Sequence, residues 1–298
     1  MILIVKKLIV EMIKLFSKIL FQILNLFEYI LFKLTKKKYL GYLYDQIRKN
    51  SYTKLKINNK MINFFTPNEI IQYRIETYFS KEPETLEWID NFIEKENLIF
   101  WDIGANIGLY SIYAATKHNK LKIFAFEPST NNLAILTRNI HINDLSESIT
   151  VNQFPLTNKN NVFMMMRENE FNEGGGLHTF GEKTNFEGKE FFGQNNYKIY
   201  GTSIDYLLEE KILEVPDYIK IDVDGIEHLI LQGAQKFLGD KKIKSISIEL
   251  NERFDTQIKE VFKILQNNNF KFIHKKHASY IDNLESISDA YNYIFNKV

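Results

Sequence analysis

Phe100-Trp101-Asp102-Ile103-Gly104-Ala105-Asn106-Ile107-Gly108 is the stretch whose reading decides the fold. The apolar run over 98–103 predicts a strand, and the residues after Gly108 predict a helix through 115, so a strand-to-helix turn lies between them. Gly104 and Gly108 let the backbone turn tightly and approach a ligand closely. The start of the following helix offers free N–H groups to a carboxylate. Asp102 is placed to accept a hydrogen bond from a ligand amino group. The order is not Gly-x-Gly-x-x-Gly, which argues against a dinucleotide turn, and no Gly-Lys-Ser/Thr follows, which removes a P-loop.

Nineteen residues beyond Gly108 stands Glu127, closing Phe124-Ala125-Phe126-Glu127-Pro128. An acid at the end of a second strand can hold both hydroxyls of a ribose. The turn and the acid, in this order and at this spacing, predict a site for an adenosine-bearing ligand.

Outward from this pair the chain alternates strands and helices. Strands are expected over 98–103, 122–127, 149–154, 218–222, 243–250, 270–274 and 291–295, with helices between most of them. The pattern predicts an α/β domain with a mostly parallel seven-stranded sheet and helices on both faces. Residues 155–200 break the rhythm with Gly174-Gly175-Gly176 and many Asn and Glu residues, which predicts a hairpin and a loop insert. The organisation expected is a basic helical extension over 1–40, an adaptor over 41–97 and a catalytic domain over 98–298. Within the adaptor, a hairpin is expected around Asn58-Asn59 and a helix over 84–96.

The 298 residues suffice for a full core, and the absence of cysteine excludes disulfides, thiolate nucleophiles and Cys-ligated zinc. Net charge is +1, but residues 1–60 hold thirteen Lys/Arg against three acids, and the remainder holds 25 against 34. A basic arm on a mildly acidic domain argues against nucleic acid as a partner. In the arm, Lys7, Glu11, Lys14, Lys18, Gln22, Asn25 and Glu28 recur at helical spacing, leaving a wide apolar face closed by Lys36, Lys37 and Lys38. No uncharged run of about 18 residues occurs, so the reading is a helix lying in an anionic membrane surface rather than one crossing it. A helix packed on its own domain, or on a second copy in a homo-oligomer, is the other reading. The corresponding location is cytoplasmic, peripheral on the inner face of the membrane.

Four pieces carry a resemblance to the FkbM family of methyltransferases. They are residues 102–108, Glu127-Pro128-Ser129, Ser203-Ile204-Asp205-Tyr206-Leu207-Leu208, and Ile219-Lys220-Ile221-Asp222-Val223-Asp224-Gly225-Ile226-Glu227. The likeness covers about 82–250. It implies a Rossmann-like class I fold, S-adenosyl-L-methionine as cofactor, and a hydroxyl acceptor, often on sugars of surface polysaccharides or secondary metabolites. It also implies that Asp102, Gly104, Asn106 and Glu127 bind the cofactor; Gly108 and Pro128, in the same two turns, complete the expected set.

A methyl sulfonium is already activated, so no metal is needed, but a sugar hydroxyl must lose a proton to a general base. The strand over 218–222 ends beside the ligand crevice of an open α/β sheet. Asp222 is therefore the candidate base, with Asp224 two residues on and His228 in the next helix as further catalytic candidates. Asp224 and Glu227 also suit plain helix capping, and the trio Asp222, Asp224 and Glu227 suits a divalent cation. His178 after the glycines is read as a lid residue, and Glu249, Asn251 and Glu252 as lining for the acceptor, a carbohydrate or other small hydroxyl-bearing molecule. The alternatives weighed are a nucleotide-sugar or NAD-dependent oxidoreductase and a non-catalytic membrane-associated module.

Overall fold

Polar residues spaced by three or four through an apolar segment produce one long helix, α1 (Ile2–Thr35), in the computed structural model, which describes residues 2–277 and 289–298. A second helix, α2 (Leu40–Asn50), follows. The Glu28 carboxylate accepts hydrogen bonds from the backbone N–H groups of Tyr39 and Leu40, both at 2.9 Å, and so satisfies two free amides where α2 begins. Leu15, Phe16, Phe21, Leu26 and Phe27 on α1 are all exposed. Residues 8–35 are long and apolar enough to cross a membrane by length and composition. The mean hydropathy there is 1.5 despite the few charges present. The Lys7 side chain lies outside the described residues. These two helices, residues 1–52, form one unit; residues 53–298 form the other.

The second unit begins within β1 (Tyr52–Ile57), which is joined to β2 (Lys60–Phe65) at Asn58 and Asn59, whose φ values of 47° and 65° suit a tight hairpin turn. Then come α3 (Glu69–Glu76) and α4 (Pro83–Asp90). α4 stops well before 96, so the helix expected over 84–96 is shorter. The core alternation is β3 (Leu98–Ile103), α5 (Leu109–Lys117), β4 (Leu121–Phe126), α6 (Thr130–His141) and β5 (Ile149–Asn152). The insert folds as β6 (Val162–Glu168), β7 (Thr179–Phe180) and β8 (Asn195–Gly201), an antiparallel sheet in the order β7-β6-β8. After it come α7 (Ile204–Glu209), β9 (Tyr218–Ile221), α8 (Glu227–Gln232), β10 (Ser245–Asn251), α9 (Asp255–Asn267), β11 (Phe270–Lys276) and β12 (Ala290–Lys297).

The main sheet has seven strands in the order β11-β12-β10-β9-β3-β4-β5. Its one reversed strand is β12, antiparallel to both neighbours. All six residues of β3 and all four of β9 are buried, as befits central strands covered on both faces. From β3 the chain winds outward through β4 to β5, then returns to β9 and winds the other way. The crevice at the carboxyl ends of β3 and β9 is therefore the topological switch point, where open α/β sheets hold ligands.

Candidate active site

Gly104 sits where this crevice begins. Its φ is +84°, and a methyl group there would lie 1.8 Å from the Asp222 carbonyl oxygen. Only glycine lets the β3 turn pass this close to the end of β9. The N–H groups of Gly104 and Ala105 donate to the Phe126 carbonyl, which ties the turn to β4. Asn106 also takes a left-handed φ of 50° and donates its backbone N–H to Glu127 Oε2 at 2.8 Å. Ser129 N–H donates to Glu127 Oε1, also at 2.8 Å. Glu127 is thus the clasp between the turn after β3 and the turn after β4. Burial pushes its carboxyl up to about 7, against these two backbone bonds, which pull it down.

A cavity of about 340 Å³ opens here, lined by Gly104, Asn106, Glu127 and Pro128 and also by Asp222, Asp224 and Glu249. Two expected cofactor residues do not line it. Gly108, φ +89°, starts α5 behind the turn. Asp102 is fully buried in the sheet; Ser111 donates to its Oδ2 at 2.6 Å, and its Oδ1 has no partner among the described residues.

Asp222 and Glu82 belong to a buried charge network. Lys220 Nζ donates to Asp222 Oδ2 at 2.7 Å and lies over the Tyr110 ring. Burial alone would lower this ammonium, but Asp222, Asp102 and Glu82 together raise it. Burial would likewise raise Asp222; Lys220 and then Lys81 outweigh it and hold the carboxyl at about 2. Lys81 Nζ donates to Glu82 at 2.6 Å. Oxygens of Glu82, Asp222 and Glu249 lie within 4.8 Å of one another. Burial and the charges of Asp222 and Glu82 push Glu249 well above the usual carboxylate range.

The trio Asp222, Asp224 and Glu227 does not gather in this way. Glu227 accepts from the N–H groups of Val223 and Gly225 and from Gln257, so it braces its own loop. Asp224 Oδ2 accepts from Leu177 N at 2.6 Å and from His178 N at 3.3 Å, which fastens the insert over the cavity. His228 lies outside the lining residues, against Gln257 and Phe254 on the α9 side. Asn251 bonds the Arg253 N–H, and Glu252 meets Lys275 and Tyr293, so neither lines the cavity, whereas Glu249 and His178 do. Lys81, Glu82, Tyr110 and Lys220 belong to the site but escaped the sequence reading. A lysine inside the apolar strand Tyr218-Ile219-Lys220-Ile221 is the signal that marks Lys220.

Comparison with known proteins gives three results. A model of the methyltransferase FkbM domain matches residues 102–272. The methyltransferase sdnD of Sordaria araneosa is 29% identical over 162 residues, 45% of this chain and 60% of that protein. The hexuronic acid methyltransferase AglP of Haloferax volcanii is 26% identical over 179 residues, 57% of this chain and 62% of that protein. The chain therefore spans about three-fifths of the curated relatives it matches. Among solved structures, the precorrin-6y C5,15-methyltransferase of Geobacter metallireducens aligns with a TM-score of 0.41 at 14% identity, over 75% of this chain and 89% of that one. M. jannaschii TYW2 in complex with AdoMet aligns with a TM-score of 0.42 at 13% identity, over 83% and 87%.

Proposed function

This chain belongs to the FkbM methyltransferase family, and on that premise we propose that it methylates a sugar hydroxyl with S-adenosyl-L-methionine. The observation that carries the reading is one cavity lined both by Glu127 and by the Glu82–Asp222–Glu249 cluster. The residues fit the cofactor. Gly104 leaves room at the turn that no other residue would leave, and Glu127 offers a buried carboxylate to a ribose diol. Asp102 acts one layer back, holding Ser111 on α5 and so the turn in front of it. Bound there, the cofactor supplies an electrophilic methyl group.

The acceptor end suits a hydroxyl-rich molecule. Asp222, Glu249, Glu82 and Asn292 line it with hydrogen-bonding groups. Asp222, ionised at every physiological pH, orients a hydroxyl and faces positive charge; at about 2 it is a weak proton acceptor, so its role is positioning. Lys81 and Lys220 supply the counter-charge beside Glu82 and Asp222. A sugar is favoured because AglP, at 26% identity, is named for hexuronic acid. The exposed apolar surface of α1, with lysines 36–38 after it, supports a membrane contact and so favours a membrane-linked glycan as acceptor. The test is transfer of labelled methyl from S-adenosyl-L-methionine to a panel of hexoses, hexuronic acids and nucleotide sugars, with the product located by mass spectrometry. Label on a sugar oxygen supports the reading; label confined to nitrogen or carbon acceptors overturns it.

A further inference from the structure

His178 lines the cavity with both ring nitrogens buried, and no side chain among the described residues bonds either of them; the one polar neighbour within its own strap is the Gly175 backbone. A neutral imidazole has one N–H and one lone pair, and each needs a partner when buried. The chain takes some trouble to put the ring there. Arg74 Nε donates to the Gly174 carbonyl at 2.7 Å, and Gly174 N–H donates to Asn132 Oδ1 at 2.8 Å. The Gly175 carbonyl accepts from Asn106 Nδ2 at 2.7 Å and from Asn132 Nδ2 at 3.0 Å. Asp224 then holds the N–H groups of Leu177 and His178. Leu177 adopts φ +62°, a left-handed conformation that a leucine rarely takes, and its turn delivers the next residue into the cavity. The strap is thus fixed to Asn106, whose N–H meets Glu127 on the cofactor side, and to Asp224 beyond β9.

We propose that His178 is the general base that takes the proton of the acceptor hydroxyl. This rests on the methyltransfer reading above. As the acceptor oxygen bonds the methyl carbon, the carbon–sulfur bond breaks with its electron pair left on sulfur, and the hydroxyl proton passes to the ring. One positive charge leaves the sulfur and one appears on the imidazole, so net charge is unchanged. The charged groups facing the ring are Asp224 after β9, Glu168 on β6 and Arg74 on α3. Burial lowers the ring below its ordinary 6.5, with Asp224 and Glu168 opposing, so it is neutral and able to accept at pH 7.5. The other candidates serve less well: Asp222 is held at about 2, His228 lies outside the cavity, and Glu249 is pushed up by burial and by the negative charges of Asp222 and Glu82.

Two readouts test this in the full chain. First, protein carrying isotope-labelled histidine is titrated by NMR with S-adenosylhomocysteine present, the His178 signals being identified by their loss in His178→Gln. A ring neutral at pH 7.5 is expected; a ring still protonated there overturns the proposal. Second, transfer to the sugar panel is measured at saturating S-adenosyl-L-methionine. His178→Gln should lose about 10²–10⁴-fold in kcat, keep its S-adenosylhomocysteine affinity within about twofold, and lose the fall of wild-type kcat at acid pH. His178→Ala should regain turnover with added imidazole, which a merely structural role would not allow. If the wild type labels a sugar and His178→Gln does so equally fast, His178 is not the base and the methyltransfer reading stands. If the wild type labels no sugar, that reading falls, and the NMR titration still decides whether the ring can accept a proton.

Discussion

Glu127→Gln separates the charge of the clasp from its shape. The two oxygens of Glu127 receive backbone N–H groups from Asn106 and Ser129 at 2.8 Å, and burial pushes the carboxyl up to about 7. A ribose diol donates much more strongly to the ionised form, so the affinity of the wild type for S-adenosylhomocysteine should depend on pH. Near pH 8 most of the unliganded protein carries the anion; near pH 6 only about a tenth does, and apparent affinity should be roughly tenfold weaker. Glutamine has no charge to titrate, so its profile over pH 6–8 should be flat. It also forfeits charge-assisted bonds worth about 1.5–3 kcal/mol each and turns an N–H₂ toward one of the two backbone donors. At pH 8 it should bind about 10- to 100-fold more weakly. Glu227, also raised to about 7, does not line the cavity and leaves this profile alone. The assay is calorimetric titration at four pH values, with a melting curve for each protein to show that it is folded. Equal affinity of the folded mutant, or a flat wild-type profile, would refute the assignment of Glu127 to the ribose.

Asp222→Asn should cost about 3–5 kcal/mol of stability in urea titration, because it strands the Lys220 ammonium, 1% exposed, without its anion. An unchanged midpoint would show that Asp102 and Glu82 suffice as counter-charge. Chelator should leave methyl transfer unchanged, since Lys81 and Lys220 already sit on Glu82 and Asp222. Loss with chelator and recovery with magnesium would recast Glu82, Asp222 and Glu249 as ligands. A chain beginning near Tyr39 should lose sedimentation with phosphatidylserine-containing vesicles, because the exposed apolar surface of α1 is gone. Equal sedimentation of both forms would assign α1 to protein packing.

The central strands were legible because burial on both faces demands unbroken apolar runs, and β3 spans the six residues its pattern predicts. The seven strands and the reach of the Gly-rich insert followed from alternation and from turn residues in the same way. Gly104 and Glu127 were legible for a different reason. Each meets its partners through a local turn whose chemistry is written in adjacent residues. The acceptor side was legible only in part. Asp222 was visible as an acid ending a strand, but its ionisation is set by Lys81, far away in sequence, and by Lys220, hidden in the strand itself. Glu82, just ahead of α4, reaches the same cluster through packing that no periodicity encodes. His228 does not line the cavity, and helical position alone does not say which way a ring points. His178 was visible only as a residue after glycines; the bonds to Asn106, Asn132 and Asp224 that place its strap are long-range.

What occupies the crevice between β3 and β9 decides the chemistry. The most direct measurement is calorimetric titration of the full wild-type chain with S-adenosyl-L-methionine and, separately, with NAD. The turn around Gly104 and the clasp at Glu127 predict saturable binding of S-adenosyl-L-methionine at one site per chain and no binding of NAD. Saturable binding of NAD with no heat from S-adenosyl-L-methionine would contradict the account.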